Sequence, residues 1–389
     1  MEKLGKLFSK IDAMYDEMVK VRRHLHMHPE ISFNEEKTAA FIADYLRGLG
    51  IEVKENVGGR GVVGRIVGGG KTKTVALRAD FDALALTDEK TVPYASKTPG
   101  VMHACGHDAH TAGLLAVAKV LSQNKEYVTG EVRFIFQHAE EVSPGGAIAM
   151  IEDGCLDGVD AIFGTHIWSS MNLGTYGYRV GPIMAVADRF VIDIIGKGGH
   201  GASPQHTIDP ISLGASIITG LQQIVARRID PQTPAVLSFG QFISGSAFNV
   251  IPNTAMIEGT TRSYSKEVQD RLILEMERVV KGHCDAAGAR YSFTYEKGYP
   301  AVVNHKEPTE ALLNCMKGIV SKDSCIELTP KMGGEDFSYY LEKVPGSFFF
   351  TGSSSSPETS IAHHHPLFDI DERAMLYAAK ALTAIALTY

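Results

Sequence analysis

The chain has 389 residues, with 38 Lys plus Arg against 45 Asp plus Glu and a net charge of −7. Hydrophobic residues are 44% and charged residues 21%, which suits a globular chain with a large core and excludes disorder, collagen-like repetition and coiled coil as the main class. The acidic balance argues against nucleic acid as a partner, because phosphate binding wants a basic surface, and the five Cys, odd in number and irregularly spaced, read as reduced thiols of a cytoplasmic protein.

Charges at Glu2, Lys3, Lys6, Asp12 and Asp16 leave no room for a signal-peptide core, and no apolar run of about 18 residues predicts a membrane span. Leu7, Ile11, Met14, Met18 and Val21 recur at steps of three and four and predict one amphipathic helix over 4–26, ended by Pro29. A second helix is expected over 36–49, closed by Gly50, then strands over 51–55, 61–67 and 74–78. A helix over 110–122 precedes a strand over 131–137, another helix follows Pro144, and 161–166 reads as a buried strand. Around 181–184 the pattern changes. Strands over 189–195, 235–243, 254–262 and 290–297 now accompany helices over 208–228 and 266–287. After Pro300 helix–strand alternation resumes and ends in a helix over 371–387. The expected fold is therefore α/β, with a mixed, mainly parallel sheet flanked by helices (1–183 and 300–389) and an inserted α+β domain (184–299).

Several short segments carry candidate chemistry. In Cys105-Gly106-His107-Asp108 a thiolate and an imidazole two residues apart can face one zinc-like cation from a loop, and Asp108 can hydrogen-bond a ligand imidazole; the competing reading is a buried thiol beside surface imidazoles. The apolar run Phe134-Ile135-Phe136 ends in the paired carboxylates Glu140-Glu141, beyond the carboxyl end of a strand, where open α/β sheets bind ligands. One acid of such a pair can bind metal while its neighbour takes a proton from water, although two acids also suit a helix start. Another apolar strand ends in His166, and three histidines, His363-His364-His365, precede Pro366. Cys105, His107, Glu141, His166 and one terminal histidine exceed the four ligands that a single zinc takes, which suggests two ions with a shared ligand. His200 lies between glycines on a permissive backbone, as a group reaching a substrate would, or as an incidental member of a hinge loop. Asn249 and the Arg fork of Arg262 are further polar candidates, the latter for a substrate carboxylate, and Gly334 in Gly333-Gly334-Glu335-Asp336 permits close approach of substrate.

Together these motifs resemble the M20 metallopeptidase and amidohydrolase family over essentially the whole chain, most nearly its N-acyl-amino-acid amidohydrolases, hippurate hydrolases and plant auxin-conjugate hydrolases. The resemblance rests on Arg22-Arg23-His24-Leu25-His26, Arg78-Ala79-Asp80-Phe81-Asp82, the Cys105 and His107 pair, Glu140-Glu141, Gly199-His200, residues 333–338 and His364-His365-Pro366. It implies a zinc-exopeptidase-like catalytic domain with an inserted lid or dimerisation domain. Two divalent ions (Zn, Mn, Ni or Co) would be held by Cys105, His107, Glu141, His166 and His364. Glu140 would be the general base and Asp80 the supporting acid. His200 would reach the active site of a partner subunit in a homodimer or homotetramer, with Asn249 and Arg262 near the substrate's carboxylate. The implied reaction is hydrolysis of an N-acyl amino acid to a carboxylate and a free amino acid; an N-acetyl-diaminopimelate deacetylase, a dipeptidase and a catalytically silent metal-binding scaffold are the alternatives. The chain departs from the subgroup at His138, where Pro is usual, and at Ser143-Pro144, where glycines are common.

Overall fold

A computed structural model describes residues 2–70 and 73–389. The chain divides into two compact units, one built from residues up to 183 with 302–330 and 336–389, the other from 184–301 with 331–335.

The first unit holds an eight-stranded sheet in the order Glu52–Val57, Gly61–Val67, Glu131–Gln137, Thr74–Asp80, Ala161–Asn172, Gly346–Ser354, Tyr176–Tyr178 and Cys325–Glu327. The four middle strands, from Glu131–Gln137 to Gly346–Ser354, are mutually parallel, while the first two strands pair antiparallel outside them. The expected mixed, mainly parallel α/β sheet is thus what the chain forms. A parallel strand covered on both faces needs an unbroken apolar run, and Phe134, Ile135 and Phe136 are all fully buried. The helix His107–Ser122 is buried at nearly every position and packs against Tyr15–Met27 and Ala374–Thr388, which is why its sequence is apolar all round rather than striped.

The single N-terminal helix expected over 4–26 is two helices, Glu2–Ala13 and Tyr15–Met27. The Met14 amide reaches back only three residues, to the Ile11 carbonyl at 3.0 Å, a local tightening of one turn. Leu7, Ile11, Met18 and Leu25 nevertheless stay buried together; periodicity reports the buried face, not the pitch of one turn.

The second unit is a four-stranded antiparallel sheet, ordered Ala235–Ser244, Thr254–Ser263, Val186–Ile195 and Arg290–Glu296, packed against the helices Pro210–Arg227 and Lys266–Ala287. Phe190, Ile192 and Ile194 alternate into its core with Ile217, Leu221, Leu272 and Met276, while Arg189 and Asp193 face outward. Capping sets both helix starts: the Asp209 side chain accepts from the Ile211 amide ahead of the first helix, and Ser265 from the Val268 amide ahead of the second. No helix among the described residues is long and apolar enough to cross a membrane.

Candidate active site

Two parallel strands of the first unit end side by side, and a third, expected to end at His166, runs on to Asn172 because the Gly346–Ser354 strand keeps pairing with it past that residue. Asp80 closes one and Gln137 the next, with Glu140 and Glu141 just beyond it, and the third leaves its pairing with Thr74–Asp80 at Gly164, two residues before His166. The Cys105 loop meets these ends. It turns at Gly106, whose φ of 95° a side chain would resist, and the Gly106 carbonyl takes the amides of Ala109 and His110 at 2.9 and 3.0 Å. The helix therefore begins at His107, three residues earlier than the apolar pattern predicts.

The side chains converge closely. Cys105 Sγ lies 3.4 Å from His166 Nε2, and the other nitrogen of that ring contacts the Ile167 carbonyl at 2.7 Å, which leaves Nε2 as the lone-pair side facing the sulfur. Glu141 Oε1 lies 3.3 Å from His364 Nε2. His107 Nε2 lies 3.8 Å from both Asp80 Oδ2 and Glu141 Oε1, and 3.9 Å from Glu140 Oε2. The ligand atoms of Cys105, Glu141 and His364 all fall within 4.8 Å of one another, as do those of His107, Glu140 and Glu141, and those of Cys105, His166 and His363. Cys105 and Glu141 each belong to two of these groups.

The electrostatics record a surplus of negative charge. Burial would lower the His107 ring, but Asp80, Asp82 and Glu141 override it and push the imidazole up to about 10. Burial, followed by the field of Glu141, Glu140 and Asp80, raises the Cys105 thiol well above its ordinary value. Burial raises Asp80 as well, yet His107, Arg78 and His110 together hold it well below the usual carboxylate range. His166 is lowered by burial and then by His110 and His363. The environment thus asks for positive charge among its acids.

The donor set fits divalent cations. His107 Nε2 and His363 Nδ1 are buried without a hydrogen-bond partner, a state costing roughly 1–3 kcal/mol per group unless something else satisfies it. Thiol, imidazole and carboxylate together suit zinc-like ions. Two residues at the site, Ala139 at φ 51° and His364 at φ 62°, occupy left-handed backbone that non-glycine residues rarely adopt, the kind of strain that persists where function requires a direction.

Several partners differ from the sequence expectation. Asp108 does not touch a candidate ligand: its carboxylate accepts from Arg22 Nε at 2.9 Å and pairs with His26 Nδ1 at 2.7 Å. The reason is helical geometry, since Asp108 follows His107 about 100° around the axis and so points away. Asp82 holds the ring instead, with Oδ1 at 3.1 Å and its carbonyl at 3.0 Å from His107 Nδ1. Asp80 bonds His110 Nδ1 at 2.6 Å. His363 joins Cys105 and His166 although only His364 stood out beforehand. The spacing of Asp80 and Asp82, two residues apart at a strand end, and the run of three histidines were the available signals for these. His138 is buried beside Phe33 and joins none of the donor groups.

The remaining candidates lie in the second unit. His200 is exposed on a short strand pairing Gly199 and His200 with Ile251 and Val250, and Asn249 stands next to it, its carbonyl accepting from the Gly201 amide at 2.9 Å. Arg262 spends two donors within the unit, on the Met332 carbonyl at 3.1 Å and the Thr261 carbonyl at 2.9 Å. A Cβ on Gly334 would stand 2.9 Å from the Ala187 side chain, so this glycine serves close packing inside the unit.

A sequence model described as Peptidase family M20/M25/M40 matches residues 76–388. YhaA of Bacillus subtilis, provisionally called an amidohydrolase, is 55% identical over 381 residues, covering 98% of this chain and 96% of its own. An N-acyl-L-amino acid amidohydrolase of Geobacillus stearothermophilus is 48% identical over 297 residues, 76% of this chain and 80% of its own. Among solved structures, Bacillus subtilis YxeP, described as a dinuclear metal-binding peptidase of family M20, superposes with a TM-score of 0.84 at 36% identity, covering 97% of this chain and 98% of its own.

Proposed function

The chain belongs to peptidase family M20/M25/M40, and from that premise we propose that it hydrolyses N-acyl amino acids to a carboxylate and a free amino acid at the Cys105–His107–Glu141 site. The observation that carries this is the cluster of orphaned donors beyond the parallel strand ends with Glu140 beside it. The amide-hydrolysing relatives, an N-acyl-L-amino acid amidohydrolase among them, support the substrate class.

Cys105, His107, Glu141, His166 and His364 are the assigned ligands of two divalent ions. Such ions, when bound, supply Lewis acidity toward the amide carbonyl and acidify water, to a pKa of about 7 in zinc sites. Glu140 takes the proton of the attacking water and returns it to the leaving nitrogen, so that water and amide become carboxylate and amine. Asp80 holds His110 and neutralises Arg78 at the edge of the site. The thiolate favours Zn, Co or Ni, and Mn is compatible with the carboxylate and imidazole donors. A reducing cytoplasm suits a thiolate that serves as a metal ligand. His200 is assigned as the oxyanion donor of a homodimer or homotetramer, with Asn249 and Arg262 toward the substrate's carboxylate; partial recovery of activity on mixing His200→Ala with Glu140→Gln protein tests sharing between subunits.

The deciding experiment offers metal-loaded protein a panel of hippurate, N-acetyl-methionine, N-acetyl-diaminopimelate and simple dipeptides. Preferred turnover of the N-acyl amino acids is expected. Selective turnover of N-acetyl-diaminopimelate or of dipeptides would replace this substrate class with the alternative, and no turnover at all would point to a silent metal-binding scaffold.

A further inference from the structure

Through Ile167 the strand Ala161–Asn172 is buried at every position; beyond it Ser169 and Met171 stay buried, Trp168 is half-buried, and Ser170 and Asn172 are exposed. Residues two apart on a strand share a face. Phe350 to Gly352 pair with His166 to Trp168 without a break in register, so Trp168 stands on the same face as the assigned ligand His166. The two ring centroids are 5.3 Å apart, with the planes at 72°. The ligand-bearing face of the strand therefore opens to solvent at the indole. Other rings back it: Phe350 at 4.8 Å and His363 at 4.7 Å, with Phe368 4.8 Å from His363 in turn. Phe350 and Phe368 are fully buried, which leaves the indole as the large apolar ring of this cluster that a solute can meet. Held by three neighbouring rings, it has its orientation before any ligand arrives, and a fixed wall loses little entropy on binding.

We propose that Trp168 is the wall against which the acyl group of the substrate stacks, and that it makes the site favour an aromatic acyl group, such as benzoyl, over acetyl. This rests on the functional reading above, in which the substrate's carboxylate goes to residues of the second unit and the acyl end is the part left for the first. An acetyl methyl covers little of an indole, whereas an aryl ring lies offset or edge-on to it over a large area. Pockets for small ligands are commonly built this way, with apolar rings for bulk and a few polar groups for orientation.

Trp168 is the only tryptophan of the chain, so intrinsic emission reports on this position without any substitution there. Full-length Glu140→Gln protein, loaded with Zn so that substrate binds without turnover, is titrated with the N-benzoyl and N-acetyl forms of one amino acid, the one the wild type releases fastest. A saturable change in emission with the benzoyl form and a much weaker one with the acetyl form are expected. Steady-state kinetics on the same pair should show the wild type preferring benzoyl. Trp168→Leu is expected to lower the benzoyl-to-acetyl ratio of kcat/KM about 10-fold, the scale of a lost apolar contact in a specificity pocket, and Trp168→Phe, which keeps a ring, to retain most of it. A wild-type preference for acetyl, an unchanged ratio in Trp168→Leu, or emission that ignores the benzoyl form at concentrations that saturate the wild type would overturn the proposal and leave the functional reading standing. A wild-type protein that hydrolyses no N-acyl amino acid overturns that reading and this inference with it.

Discussion

Glu140 stands between Ala139, whose backbone is left-handed, and Glu141, so its direction is set by a turn that costs energy to hold. Both acids approach His107 Nε2, but Glu141 Oε1 also faces His364 Nε2 at 3.3 Å, which gives the two carboxylates different neighbours. Glu140→Gln is expected to lower kcat by at least about 10³ while metal content by atomic absorption stays at the wild-type level; comparable loss of metal would reassign Glu140 as a ligand. Glu35 offers a second test at this scale. Burial and then the charge of Asp82 raise its carboxyl from 4.5 to about 7. A raised acid contributes stability that is fully present below the unfolded value and is lost as pH rises through the folded value, here between about 4.5 and 7. Glu35→Gln should therefore gain on wild type as pH rises from 5 to 8, by up to about 3 kcal/mol, measured by urea unfolding at both ends. An unchanging difference would show that Glu35 ionises freely.

At the scale of the element, the helix His107–Ser122 decides where the imidazole sits. Its first residue is fixed by the left-handed Gly106, not by apolar periodicity, which becomes regular only farther along. Space alone does not demand glycine, since the nearest atom to a Cβ there is 3.7 Å away; the backbone angle does. Gly106→Ala is expected to cost about 1–2 kcal/mol and to weaken cation affinity by displacing His107. Calorimetry and chelator competition check the two effects, and unchanged affinity would separate the turn from the site.

Across the first unit, Arg22 joins distant parts of the chain. Fully buried, it bonds Asp108 Oδ2 at 2.9 Å, Asp369 Oδ1 at 2.7 Å and Glu372 Oε1 at 3.1 Å, and so ties an N-terminal helix to the start of the His107 helix and to the C-terminal segment. The Arg22–Arg23–His24–Leu25–His26 motif, noticed first as a resemblance, is thus a junction behind the site rather than part of it. Arg22→Met strands three carboxylates and is expected to cost about 3–5 kcal/mol, read as a fall in urea midpoint. Cation removal acts at the same scale: ions that bind only the folded state stabilise it by mass action. Chelation should lower the wild-type melting temperature and barely move that of a His107→Ala, His166→Ala variant; equal shifts would place the stabilising ions elsewhere.

The alternation of strand and helix, the second unit's α+β pattern and the chemistry-bearing residue types were legible in the sequence, because they follow from side-chain period and from the end of an apolar run shortly before Glu140 and Glu141, whereas the strand through His166 runs on to Asn172. What the sequence could not decide was direction. Asp108 turns away from His107 and Asp82 turns toward it, His363 joins His364, and the helix starts at His107, because each depends on a backbone angle or on which strands lie side by side. Cys105 and His166 are 61 residues apart yet within 3.4 Å. Local spacing reaches a few residues along the chain, whereas strand order in the sheet brings distant strand ends together, so only the tertiary structure could say which acid faces which imidazole.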